Sequence, residues 1–532
     1  MTIQRRAAVV GAALLVSIWS SSVALAEKEG GVLKMSTPDS LASMSIHEEA
    51  TVFAQGPMMG VFNNLVMFDQ HNPQSSLDSI VPDLATGWSW NEEGTELTFP
   101  LRQGIKWHDG KPFTAADVKC TWDLLLEQST EKFRVNPRKT SFKNLDRVTV
   151  NGDYEVKFQL KRPQPAFMML LATGFAPVYP CHVPPAQMRQ HPIGTGPFKF
   201  VEFKPNELIK VTRNPDYWKP DRPYLDGIEY TIIRNPATAV LAFVSGKFDM
   251  TFPNILTIPL LKDVQRQMPE VVCETAPEGG INRHMLLNHE KPPFDNVQLR
   301  RAMALSLDRK GFIDILSEGQ GEIGGVLQPP PGGLWGMPSD LLKELPGYDP
   351  DVQRSREEAR QIMQQLGYGP NKHLNLKVTT RDLPFFRDPA VILIDQLKEV
   401  YVDGELEPID TTAYFPKIYR KDFSVGLHLQ TSGPDPDPTL DNFYGCRSSL
   451  NWDGYCNPEV DQLIEQQSIE GNRDHRKQLA WMIERKLAED AARPIIFYNW
   501  AGTCWRPYVK GLTIMVNSIY NGNRREDVWL DK

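Results

Sequence analysis

The 532-residue sequence has no C-x-x-C pair and no Cys/His set at zinc spacing, which excludes a zinc ribbon and a thioredoxin-like redox centre. It has no G-x-S-x-G elbow and no H-E-x-x-H helix. The nearest imitation, His47-Glu48-Glu49-Ala50-Thr51, lacks the second histidine that zinc requires, so a secreted hydrolase finds little support. Gly194-Thr195-Gly196-Pro197 lacks the Lys-Ser/Thr ending of a phosphate-binding loop and is read as a turn into an edge strand. There is no basic surplus: a formal charge of −8 leaves no footprint for nucleic acid or an anionic membrane. Repeats and low-complexity tracts are missing, and beyond the N-terminus no apolar run approaches the roughly 18–20 residues that a membrane span needs.

What is present starts with residues 1–26. Arg5 and Arg6 precede an apolar run from Ala7 to Ile18, then small residues ending Ala24-Leu25-Ala26, the layout of a cleavable secretory signal. No cysteine follows the small residues, which argues for a periplasmic destination over a lipid-anchored one. Removing 26 of the 532 residues leaves 506 and takes the charge from −8 to −10, since the leader holds two arginines and no acid. A chain of that size exceeds the ~250–300 residues at which a single core stops growing, so at least two lobes are required and a cleft becomes possible. In an oxidising compartment the six cysteines can pair. Cys446 and Cys456 are the one sequence-local pair and are expected to bridge; Cys120, Cys181, Cys273 and Cys504 have no assigned partners.

The run from Leu97 to Val118 is the most informative stretch. Leu97, Phe99 and Leu101 alternate as a half-buried strand does, Asp109-Gly110 supplies a turn with positive φ, and Thr114 with Asp117 makes an N-cap pair opening a helix. Trp107-His108-Asp109 would suit a metal or an acid–base pair, but no second His or Cys lies at ligand spacing. The same order of strand, turn, short strand and capped helix resembles the signature of bacterial extracellular solute-binding proteins of the oligopeptide- and dipeptide-binding family. The resemblance extends to Gly194–Phe200, to Arg213-Asn214-Pro215-Asp216-Tyr217-Trp218, to the Pro-Phe-Asp and Asp-Arg block at Pro293–Arg309, and to the helix with a Gly stop at Ala359–Tyr368.

That resemblance implies an α/β, two-lobed periplasmic-binding-protein fold (type II, cluster C) with an extra inserted domain. The first lobe would comprise residues 27–63, 192–283 and 500–532, the inserted domain 64–191 and the closing lobe 284–499, with crossings near Arg283–His284 and Asn499–Trp500. It also implies a monomer that carries a small-molecule or peptide ligand to an inner-membrane ABC permease, with no catalytic residues, cofactor or resident metal. By position, ligand contacts would come from Ser40, Leu41, Trp335, Arg381, Thr431, Ser432, Asp435 and Trp452. Peptide binders of this family place an Asp, for the free amine, at the position occupied here by Ser432. A hydroxyl lacks the charge-assisted bond an ammonium group rewards, so opines, modified peptides, small glycosides or other polar organic ligands gain weight as cargo, with an opine, an oligosaccharide or a metal chelate as the alternative reading. Asp435 either takes over that role or caps nearby backbone.

Overall fold

The computed structural model describes residues 27–532; the expected leader at 1–26 lies outside the described residues. Three sheets carry the architecture. The first has the order Val32–Thr37, Gly227–Ile232, Leu208–Arg213, Phe198–Lys204, its first pair parallel and the others antiparallel. Phe198–Lys204 is an edge strand, entered through Gly194 and Gly196. A Cβ on Gly194 would lie 1.9 Å from the Val61 carbonyl oxygen, so this turn packs backbone against backbone and excludes any side chain.

A second sheet is antiparallel, in the order Ser89–Trp90, Glu96–Pro100, Glu155–Leu160, Leu145–Val150. The alternation seen in the sequence is carried out here. Leu97, Phe99, Val156 and Phe158 point inward and are fully buried, and Trp122 meets Phe158 edge-on at 4.9 Å. Thr114 and Asp117 form a reciprocal capping box on the helix Ala115–Leu125, and Gly110 closes the preceding turn at φ +87°. Residues within 65–178 pack a core of their own on this sheet.

The third sheet, six-stranded, runs Gly321–Glu322, Ile495–Trp505, Val272–Leu287, Val425–Thr431, Leu374–Arg381, Val402–Ile409. Its two long strands, Val272–Leu287 and Ile495–Trp505, belong to both halves of the molecule. Val272 to Pro277 pairs with Trp505 to Trp500 on the side of the first sheet, which Met250 joins to them through bridges to Met35 and Trp505. After a break in register, Asn282 to His284 pairs with Tyr498 to Ile495 on the other side. The break falls at 278–281, where Gly279 and Gly280 adopt φ of +54° and +76°. A second, smaller shift in register falls between Arg283 and His284, the position of the crossing expected from the sequence.

Three disulfides join Cys446 to Cys456, Cys120 to Cys181 and Cys273 to Cys504. The first fastens the loop that carries Leu450 and Trp452. A loop this short adds roughly 2–3 kcal/mol in the chain-entropy account.

Burial also sets the pH response. His47 and His108 are held down to about 3 and about 4 by desolvation, and His284 and His428 lie well below the ordinary imidazole value for the same reason. Their stabilisation is complete above pH 6.5 and is lost as pH falls, each adding a slope of about 1.4 kcal/mol per pH unit. Desolvation instead pushes Glu49 and Glu484 up to about 7, so their contribution is complete below pH 4.5 and fades as pH rises through 7. Between pH 4.5 and 6.5 the two sets oppose each other; below 4.5, of these six groups, only the histidines act. A thermal-melt series should therefore show Tm changing gently from pH 6.5 to 4.5 and dropping steeply towards pH 3. A flat profile below 4.5 would contradict this.

Candidate functional site

The carboxyl ends of parallel strands from both halves face one another. Val32–Thr37 ends just before Asp39, while Leu374–Arg381, Val402–Ile409 and Val425–Thr431, parallel in the third sheet, end at Arg381, just before Thr411, and at Thr431. Crevices beyond strand carboxyl ends are where open α/β sheets bind ligands, because loops there are free of the ladder. Here the crevice is shut. The Arg381 Nη2 donates to Asp39 Oδ2 at 2.5 Å, the Thr411 hydroxyl donates to the same oxygen at 2.6 Å, and Arg381 Nε donates to Thr411 Oγ1 at 3.0 Å. All three residues are buried. Around the rim, Arg234 pairs with Asp410 at 2.8 Å, Ser141 donates to Asn442 at 2.8 Å and Gln164 to Asp437 at 2.6 Å.

Two adjoining chambers lie in the cleft, sharing Ala50, His428, Leu429, Thr431 and Tyr520. One wall comes from 50–53, 252–255, 513–523 and from Arg138 and Phe175; the other from Arg381, Phe385, Phe386, Phe415, 428–431 and Trp452. Aromatic rings dominate. His428 stands 5.0 Å from Trp452 and is stacked on Tyr414, whose hydroxyl lies 3.0 Å from Nδ1. Burial, reinforced by Arg381 and Arg493, keeps that imidazole neutral. The Arg381 guanidinium lies 4.7 Å from the centre of the Phe386 ring. Glu278 is the only acidic side chain lining either chamber among the described residues, and it is tied to Arg283 and to Asn499 Nδ2.

Of the residues expected from the sequence, Arg381, Thr431 and Trp452 line the chambers. The others are placed elsewhere. Ser40 donates its backbone N–H to Asp39 and accepts from Asn206, and Leu41 packs in the core of the first sheet. Trp335 donates Nε1 to the Pro434 carbonyl and lies under the Arg476 guanidinium at 5.0 Å. Ser432 donates its hydroxyl to the Gly280 carbonyl and accepts from the Gln328 N–H, both at 3.0 Å. Asp435 receives both Nη1 and Nη2 of Arg476, at 2.8 and 2.5 Å, and caps the helix Pro436–Tyr444. Its capping role is thus what the structure displays. Sequence reasoning missed Asp39, Thr411, Arg138 and most of the rings. Only Asp39, just past a strand's carboxyl end, had a local signal.

A cleft closed between the carboxyl ends of two sheets and spanned by a pair of crossing strands is the arrangement of a two-lobed binding-protein fold. The profile of the bacterial extracellular solute-binding proteins, family 5 Middle, matches residues 79–451. The chain belongs to that family. It is 24% identical over 458 residues to Di/tripeptide-binding protein 3 of Pseudomonas aeruginosa (strain UCBPP-PA14), covering 81% of this chain and 82% of the relative. Among solved structures it is similar to the Escherichia coli murein tripeptide binding protein MppA, with a TM-score of 0.84, 20% identity and coverage of 95% and 99% of the two chains. It is also similar to AgaA from A. tumefacien R10 in complex with agropinic acid, with a TM-score of 0.79, 20% identity and coverage of 94% and 99%. These structural likenesses define the fold, the periplasmic-binding-protein type expected from the sequence. Among the described residues, no helix is long and apolar enough to cross a membrane.

Proposed function

We propose that this protein is the periplasmic receptor of an ABC importer, exported through the leader at 1–26, which encloses a peptide-like or other small polar organic solute between its lobes and presents it to an inner-membrane permease. The observation that carries this reading is the buried Asp39–Arg381–Thr411 cluster, which ties the two walls of an otherwise empty-centred, ring-lined cleft. The division into a first lobe, an inserted domain at 64–191 and a closing lobe agrees with the three sheets, and the Gly279-Gly280 break is the natural hinge.

A peptide without a free amine, or an opine, is the second reading. It is favoured by the fate of Ser432, whose hydroxyl is already spent on Gly280 and Gln328, and by the single, arginine-paired acid in the lining. Small-angle scattering combined with melting tests both readings on di- and tripeptides, their N-acetylated forms and opines. A compound at a hundredfold excess over Kd should raise stability by about 2.7 kcal/mol and shrink the radius of gyration. A compound that raises Tm without compaction would remove the closure account.

A further inference from the structure

Arg138 stands apart from the other cation of the cleft. Arg381 is neutralised by Asp39, whereas no carboxylate lies within 4 Å of Arg138 among the described residues. Arg138 is only 9% exposed and lines the chamber that also holds Trp452. Its Nη1 donates to the carbonyls of Ile46 and His47 at 3.2 and 3.4 Å, and its guanidinium lies 3.7 Å from the centre of the Phe175 ring. These contacts aim the group. Nε and Nη2 have no protein acceptor among the described residues. Desolvation without a counter-ion pulls this guanidinium down to about 10, and the one carboxyl contributing to its field, that of Glu49, is itself pushed up to about 7 by burial.

A buried guanidinium whose remaining donors face a cavity requires an acceptor, and the chamber's own wall supplies no carboxylate. Phe142, Leu170, Phe175, Phe443, Leu450 and Trp452 give the space beyond Arg138 a mainly apolar wall, interrupted by uncharged polar groups such as Ser141, Thr431 and Asn442. We infer that Arg138 is an anion-binding subsite, and that the solute is an organic acid whose carboxylate or equivalent oxyanion meets Nε and Nη2 while an apolar or aromatic body fills the chamber towards Trp452. This rests on the solute-capture reading above and narrows it from a polar solute to an amphipathic acid. The guanidinium fork suits two oxygens at once, and the Phe175 ring beneath it fixes the plane in which they approach.

The test uses the full mature chain and N-acetyl dipeptides ending in Phe, Leu or Trp, each offered as the free acid and as its C-terminal amide, by titration calorimetry. The acids should bind the wild type at least roughly tenfold more tightly than the amides, the ratio a charge-assisted hydrogen bond supports. Arg138→Met should bring that ratio close to one by weakening the acids far more than the amides, and Arg138→Lys, which keeps the charge, should retain the preference. Melting of each variant checks that the tether to Ile46 and His47 is not simply lost. Equal binding of acids and amides by the wild type overturns the subsite. So does a preference that survives Arg138→Met and disappears in Arg381→Gln, which would place the anion at the other arginine. If no acid binds while another solute compacts the protein, the subsite is wrong and solute capture stands; if no solute compacts it, both readings fall.

Discussion

Replacing Asp435 with Ala is expected to lower the unfolding free energy by about 3–5 kcal/mol, because it leaves the buried Arg476 guanidinium without its two-oxygen partner. The same change removes the N-cap of the helix Pro436–Tyr444, typically worth another ~1 kcal/mol. Arg476 also donates Nε to Gln467, which in turn holds Asp437, so the loss spreads into the helix pair beneath the cleft. Urea unfolding measures it. The double variant Asp435→Ala/Arg476→Met should recover part of the stability, since no orphan charge remains. If Asp435→Ala melts like the wild type and loses only solute affinity, the carboxylate serves the ligand and the ion pair is incidental.

Asp39→Asn should act on binding instead. In the open form that the proposed closure requires, both Asp39 and Arg381 would reach water, so the fold itself should change by only about 0.5 kcal/mol. In the closed form Arg381 would be buried beside a neutral amide, at a cost of about 3–5 kcal/mol. Affinity for an uncharged solute should therefore fall by roughly 150- to 5,000-fold, with scattering showing a larger open fraction. Adding Arg381→Gln removes the stranded charge and should return much of that affinity. An Asp39→Asn protein that binds as tightly as the wild type would mean that the cross-cleft cluster contributes nothing to closure.

How far these features could be read in advance depended on their range along the chain. The strand at Leu97–Leu101, the Gly110 turn and the Thr114/Asp117 cap are set by residues within five positions of one another, and the structure shows all three. The Cys446–Cys456 bridge is similarly local. Asp435 was ambiguous for the opposite reason: whether a carboxylate before a proline caps a helix or greets a ligand depends on Arg476, 41 residues on. Cys273 and Cys504, 231 residues apart, carry no spacing signal at all. The cleft lining is harder still. Phe53, Phe175 and Tyr520 on one wall face Phe386 and Phe415 on the other across more than 100 residues of chain, and in the sequence each is an ordinary apolar residue among 24 Phe and 15 Tyr.

The Cys273–Cys504 bridge has a mechanical meaning. It welds two strands at directly opposed positions, a few residues from the point where their pairing breaks. Both cysteines lie on the first-sheet side of that break, so the strands are held from sliding there and any turning of one side against the other falls to the residues beyond, at 278–281. In the closure proposed above, that welded stretch is the fixed footing from which the other side swings.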